Sequence, residues 1–234
     1  MDIAKSFTYI FDDEKWIGKI GIGVAATLLS FLIIPIFLIP GWLAATTRNV
    51  MDGKEHPLAD WDDWGQLLKD GFSIVIASLV YSAPFIILFI IAFIATIGFG
   101  GLSEVSEEAA AVGLFATWGI VMCVGAIMGL ALLIISPIIT IQYVRTNELA
   151  ACFRFGEIIQ LIQDNLGDVF LLAIIPFGIG LVVSFITVIP CIGWIVGLVV
   201  APYQSAVLGH LYGQFANKLD GKGSKFDSFD SGLT

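Results

Sequence analysis

Four stretches of this chain carry no Asp, Glu, Lys or Arg: Ile20 to Thr47, Gly71 to Ser103, Ala109 to Val144, and Val169 to Asn217. Each is longer than the roughly 20 apolar residues that a helix needs to cross a bilayer core. Buried helices of a soluble protein are shorter and present polar residues on an outer face, which these stretches lack. Composition points the same way. Charged residues make up 13% of the chain, against roughly 25% in an ordinary soluble domain, too few to cover a water-facing surface. With 58% hydrophobic residues and a mean hydropathy of +0.94, the chain reads as an all-α, polytopic membrane helical bundle.

The longest run divides at Val188-Ile189-Pro190-Cys191, because proline limits helix continuation. That predicts a tight hairpin of two spans, about Phe170 to Thr187 and Ile192 to Gln214. The runs Phe72 to Gly98 and Val112 to Tyr143 are one span each, joined by a short loop without Lys or Arg. The basic residues gather around Lys5–Lys19, Arg48–Lys69, Arg145–Arg154 and Lys218–Lys225. Positive residues mark the cytoplasmic side, so those segments, with the C-terminus, are expected inside a cell membrane. Residues 1–217 then form the membrane domain, and 218–234 a short polar, disordered cytoplasmic tail.

The first run leaves two topologies open. As one span, Ile20 to Thr47 makes a fifth crossing with the N-terminus outside. As a short or re-entrant hairpin bent at Ile34-Pro35, it keeps the N-terminus inside. Lys5, Lys15 and Lys19 favour the hairpin, although Asp12, Asp13 and Glu14 blunt that signal. The run is too long for a signal-peptide core and no small-residue cleavage site follows it, so it reads as the first membrane anchor.

An irregular internal repeat supports the hairpin. Three times a mixed polar and apolar stretch (Phe7 to Lys15, Trp61 to Asp70, Phe153 to Asp168) precedes an apolar hairpin. Each hairpin closes on a proline (Pro40, Pro137, Pro202) followed by a polar exit. Phe155, Ile158, Ile159 and Ile162 recur at helical spacing, as do Trp61, Trp64, Leu67 and Leu68, which describes amphipathic helices lying in the membrane interface. The six tryptophans fall near predicted span ends, where an indole N–H stays wet. Gly125/Gly129, Gly193/Gly197 and Gly209/Gly213 have the G-x-x-x-G spacing that brings helix backbones together, either within the chain or across a homo-oligomer face.

Function is constrained mainly by exclusion. A net charge of −9 without basic patches argues against nucleic-acid binding. Cys123, Cys152 and Cys191 are odd in number and widely spaced, which suits neither a disulfide frame nor a zinc site. The chain has no G-x-S-x-G, H-E-x-x-H or P-loop signature, so no catalytic residues, cofactor or metal are expected and the protein is read as no enzyme. Spans without Asp, Glu, Lys or Arg give coupled transport little to work with. The candidate polar cluster is Arg48, Asp60, Asp62, Asp63, Arg145, Arg154 and His210, all at the expected cytoplasmic interface. The aspartates of Asp60-Trp61-Asp62-Asp63-Trp64 have the chemistry to ligate a divalent cation or, more simply, to cap an interfacial helix. The arginines suit a lipid phosphate, or pairing with Asp62, Asp63 or Glu157. His210 is the one ionisable group inside an apolar run.

Two strings carry a resemblance. One is Phe31-Leu32-Ile33-Ile34-Pro35 followed by Gly41-Trp42-Leu43 and Arg48-Asn49-Val50. The other is Pro57-Leu58-Ala59-Asp60-Trp61-Asp62-Asp63-Trp64-Gly65 with Asp70-Gly71. Over roughly residues 7 to 217 the chain resembles prokaryotic membrane proteins of the uncharacterised family called domain of unknown function 4013. The resemblance implies an integral membrane protein of a bacterium or archaeon and brings no catalytic residues with it. The expected function is a non-enzymatic accessory or scaffold subunit, or a lipid-organising protein. Its expected partners are membrane lipids together with protein subunits or further copies of itself. A small transporter or channel, and a lipid-modifying enzyme using the aspartate loop, are the alternatives.

Overall fold

The computed structural model describes residues 1–102, 106–189 and 192–230, and among these every regular element is helical. In chain order the α-helices are α1 (Ile3–Thr8), α2 (Trp16–Leu28), α3 (Leu38–Met51), α4 (Trp64–Leu102), α5 (Glu107–Thr146), α6 (Phe155–Asp164), α7 (Leu166–Thr187) and α8 (Ile192–Asp230). Four of them are long and apolar enough to cross a membrane: α4, α5, α7 and α8. The turn expected at Pro190-Cys191 and residues 103–105 of the acidic loop lie outside the described residues. The chain divides into two compact units, residues 1–77 with 137–234, and residues 78–136.

The first apolar run is a hairpin. Between α2 and α3 the chain passes through two 3₁₀ turns, Leu29–Leu32 and Ile34–Phe37. Ile33, between them, has φ 68°. A β-branched residue rarely adopts that left-handed conformation, and Pro35 disfavours helical backbone at Ile34 just before it, so the helix cannot run on. The two arms return to one place: Trp61 Nε1 donates to the Lys19 carbonyl at 2.9 Å, and the Trp61 ring stacks on Trp42 with centroids 5.1 Å apart. Residues 19 and 42 therefore sit on the same indole, and the chain between them goes out and comes back. At 1.5 Å per residue neither arm is longer than about 20 Å, short of the ~30 Å hydrocarbon core.

In the larger unit α8 is the central element, with α3, α7, α2 and α1 packed on it. Trp42, Tyr143, Phe215, Leu172 and Ile141 are fully buried there. Glycine permits the closest approaches. A Cβ on Gly71 would lie 1.7 Å from the Phe37 carbonyl oxygen, and one on Gly41 would lie 1.9 Å from that of Leu67, so α3 and the start of α4 cross backbone to backbone. Of the G-x-x-x-G pairs, Gly209 and Gly213 face α3: added methyls would meet Thr46 at 3.0 Å and Val50 at 2.4 Å. That pair serves packing within the chain.

Three sequence expectations change. Trp61 to Asp70 is not a separate interfacial helix, because α4 starts at Trp64 and continues unbroken to Leu102. At about 58 Å it outruns the bilayer, and its first turns rise through the polar edge. The stretch after Phe153 does form a separate amphipathic helix, α6, with Ile158 buried and Phe155 and Ile159 exposed. The tail does not begin disordered at Lys218. There α8 continues, because Lys218 bonds Asp168, Leu219 is buried and Asp220 accepts from Arg145 at 2.6 Å. Finally, the indole N–H groups of Trp42, Trp61 and Trp118 are satisfied by protein rather than left to water. Trp42 donates to the Ala59 carbonyl at 2.8 Å and Trp118 to Thr96 Oγ1 at 3.1 Å.

Candidate functional site

The seven candidate residues do not converge on one point. They distribute into separate polar groups within the larger unit, and residues outside the candidate set hold two of these together.

The first group centres on Asp70, which is fully buried. Arg48 Nη1 donates to its Oδ2. Tyr143 Oη and Gln66 Nε2 each donate to Oδ1 at 2.8 Å. Arg48 also donates from Nη2 to Asn147 Oδ1 at 2.7 Å, and its guanidinium lies 5.9 Å from the Tyr143 ring centroid. Three elements meet in this carboxylate, which ties the exit of α3 to the entry of α4 and the end of α5. The neighbouring Gly41–Gly71 crossing brings Arg48 of α3 within reach of α4. Among the described residues Arg48 Nε is buried without a hydrogen-bond partner, and a buried ion pair of this kind specifies a geometry more than it adds stability.

The second group centres on Lys19, also buried. Its Nζ donates to Asp13 Oδ2 at 2.7 Å and to the Leu58 carbonyl at 2.7 Å, and lies 2.9 Å from Asp60 Oδ1. Burial alone would raise the Asp13 pKa. The hydrogen bonds from Lys19 and from the Lys15 backbone N–H outweigh it and hold the carboxyl below its ordinary 3.8. The three aspartates of the loop thus have three different fates. Asp60 pairs with Lys19. Asp63 caps α4, accepting from the Gln66 N–H at 2.9 Å, as the capping expectation holds. Asp62 is exposed and, among the described residues, makes no hydrogen bond or ion pair. Among the described residues no three acidic, histidine or cysteine side chains are placed to hold a metal ion.

The remaining candidates are simpler. Arg145 pairs with Asp220 through Nε at 3.0 Å and Nη2 at 2.6 Å. Arg154 lies 3.6 Å from Glu148 and 3.5 Å from Glu157 in exposed ion pairs, which are worth about 0–1 kcal/mol. His210 is buried. Its Nδ1 lies 2.8 Å from Ser6 Oγ and 2.9 Å from Gln214 Nε2, and its ring stacks on Tyr9 at 4.4 Å. It fastens α1 to α8. Cys152 is buried and its thiol is pushed up to about 11, so it stays protonated and unreactive at neutral pH.

Two cavities accompany these groups. One, of about 560 Å³, opens between α2 and the Asp60–Trp64 segment. The other is an apolar groove of about 550 Å³ between α7 and α8, lined by Phe7, Ile174, Gly178, Val182, Val200 and Tyr203.

The family described as "Protein of unknown function (DUF4013)" matches residues 28–192. The chain belongs to that family. The match includes the hairpin bend, the aspartate–tryptophan loop and the Arg48–Asp70–Tyr143 group, so this DUF4013 protein has its buried Asp70 carboxylate within the matched region. No curated protein and no solved structure matches the chain. What is established is a multi-pass membrane protein of this family. Sequence reasoning missed Lys19, Asp70 and Tyr143. The available signal was position: Lys19 and Asp70 each stand directly before an uncharged run, where a charge is either wet or paired.

Proposed function

We propose that this protein organises membrane lipids without transforming them, its partners being the lipids themselves. The observation that carries the reading is the hairpin of α2 and α3. Its base is fixed by Trp61 against Lys19 and Trp42, while Phe31, Leu32, Ile33 and Ile34 at its tip are 55–75% exposed. Between Trp42 at the base and Ile34 at the tip the chain has four α-helical and four 3₁₀ steps, at most about 14 Å, so this apolar wedge displaces hydrocarbon in one leaflet and stops short of the other. The apolar groove between α7 and α8 adds a surface that acyl chains would fill. The buried ionisable groups Asp13, Lys19, Asp70 and His210 are engaged in contacts that hold elements of the chain together, which favours a structural role for them over chemistry on a substrate.

Spin-labelled phospholipids in proteoliposomes test this. Labels deep in the chain should show a motionally restricted population. Ile33→Asp with Ile34→Asp, which makes insertion of the tip unfavourable, should reduce that population while the protein stays folded. An unchanged restricted population, or solute flux through proteoliposomes that the wild type supports, would overturn the proposal in favour of simple anchoring or of transport.

A further inference from the structure

We infer that the cavity between α2 and the Asp60–Trp64 segment is a headgroup site for a phospholipid carrying both a phosphate and a primary ammonium, an ethanolamine-type lipid. The inference rests on the lipid-organising reading and names the lipid. The cavity is walled by Lys15 and Lys19 on one side and by Asp60, Trp61, Asp62 and Trp64 on the other. Most of its charge is already spoken for. Lys19 is held by Asp13, Asp60 and the Leu58 carbonyl.

Two charges are left over, and they have opposite sign. The Lys15 ammonium and the Asp62 carboxylate line the same space, both exposed, and among the described residues neither has an ion-pair or side-chain hydrogen-bond partner. A zwitterion satisfies both at once, its phosphate toward Lys15 and its ammonium toward Asp62. The ammonium end is further suited by Trp64, 48% exposed, whose ring lies 6.1 Å from that of Trp61 at 45°. Trp61 is buried and stacked on Trp42, so the exposed indole of Trp64, beside a carboxylate, is the one whose π face attracts a cation. An anionic headgroup fits poorly, since Asp60 and Asp62 would face it without a compensating ammonium. A choline headgroup would keep the π contact but has no N–H to donate to the carboxylates. The primary ammonium uses both.

The rest of the ligand is implied by what adjoins the cavity. Gly18 and Ile22 of α2 complete its wall. From there the exposed face of α2 is apolar, through Gly21, Ile22 and Ala25 to Leu28 at the tip. Gly18 and Gly21 have nothing within 4 Å of a would-be Cβ, which leaves the α2 surface open and uncrowded at the polar end of the hairpin. A ligand with a headgroup in the cavity and a chain along α2 matches this succession, and a free phosphoethanolamine matches only its first part.

The test uses the full-length protein in nanodiscs of phosphatidylcholine doped with phosphatidylethanolamine or phosphatidylglycerol, reading retained lipid by native mass spectrometry. The ethanolamine lipid should be enriched over both others. Asp62→Asn removes the charge-assisted hydrogen bond and should lower that enrichment about tenfold, to the choline level. Lys15→Gln should weaken ethanolamine and choline lipids alike, because both carry the phosphate. Wild-type retention that does not distinguish the three lipids overturns the site. Equal retention of choline and ethanolamine lipids alone overturns the ammonium–carboxylate contact. Displacement by millimolar free phosphoethanolamine would instead assign the cavity to a soluble ligand and overturn the lipid. All of these read the headgroup, whereas the wedge is read by chain-label restriction, so either can fail without the other.

Discussion

The two units of the molecule are held together by different means. In the larger, buried polar atoms meet across elements far apart in sequence: Arg48 with Asp70 and Asn147, Tyr143 with Asp70, Lys19 with Asp13 and Leu58. Helix backbones touch at Gly41 and Gly71. In the smaller, residues 78–136, the buried hydrophobic side chains among the described residues are Ala92, Ala110 and Val121, and large ones such as Phe93, Ile94, Phe115 and Met122 are more than half exposed. Its cross-helix contacts include the Trp118–Thr96 hydrogen bond, the Phe89–Trp118 edge contact and Phe85 over Gly125. The difference follows the solvent. Lipid tails are as apolar as leucine, so burying leucine between membrane helices gains little. Specific geometry has to come from polar pairs and close-packed glycines, and those sit at the wet edge, where charged side chains are affordable.

Breaking the buried pair should have the largest effect. Arg48→Ala leaves the Asp70 carboxylate buried without its cation and should destabilise the protein by about 3–5 kcal/mol. Arg48→Met with Asp70→Leu should recover most of that loss, since both charges go together. Unfolding in mild detergent followed by tryptophan fluorescence measures the cycle. An Arg48→Ala variant as stable as wild type would mean that the polar edge does not hold the larger unit. Next in size is the glycine crossing. Gly71→Ala places a methyl against the Phe37 carbonyl and should cost about 1–3 kcal/mol. Gly119→Ala in the smaller unit meets nothing within 4 Å and should be neutral or stabilising by up to about 1 kcal/mol. Equal costs would erase the contrast between the units.

How much of this could be read from the residues depends on the range of the interaction. The spans were legible because absence of charge over a long run is a local property. The hairpin was favoured by Lys5, Lys15 and Lys19 and by the Ile34-Pro35 bend, and Trp61 touching both Lys19 and Trp42 decides it. The cap at Asp63 was legible because capping reaches only three residues along the chain. The Arg48 partner was not. Asp62 and Asp63 are nearer in sequence, yet the chosen acid is Asp70, because the Gly41–Gly71 crossing brings α3 onto the first turns of α4. His210 stood out as the lone ionisable residue of its run, but the role visible in the structure, stacking on Tyr9 and meeting Ser6, needs α1 in place. Trp118 was expected at a wet span end and instead finds Thr96.

A smaller contrast concerns acid. The Asp13 carboxyl in the larger unit titrates below its ordinary 3.8 when folded. A depressed folded pKa means stability that is fully present above the unfolded value and is lost as pH falls through the folded one. Stability should therefore be insensitive to this group from pH 7 to 5 and decline below about pH 4, and Asp13→Asn should flatten part of that decline. A decline of the same steepness in the variant would assign the acid sensitivity to other carboxylates.

The smallest effect belongs to the smaller unit. Trp118→Phe removes the hydrogen bond to Thr96 while keeping an aromatic ring against Phe89. Interhelical hydrogen bonds in membranes average about 0.6 kcal/mol, because the unfolded helices also find partners in the bilayer. A loss near that size, read from the same unfolding curves, would mark residues 78–136 as held by many weak contacts, with no single polar pair deciding their arrangement. A loss comparable to that of Arg48→Ala would instead give this unit a polar anchor of its own, and the contrast between a larger unit built on specific pairs and a smaller one built on dispersion would have to be abandoned.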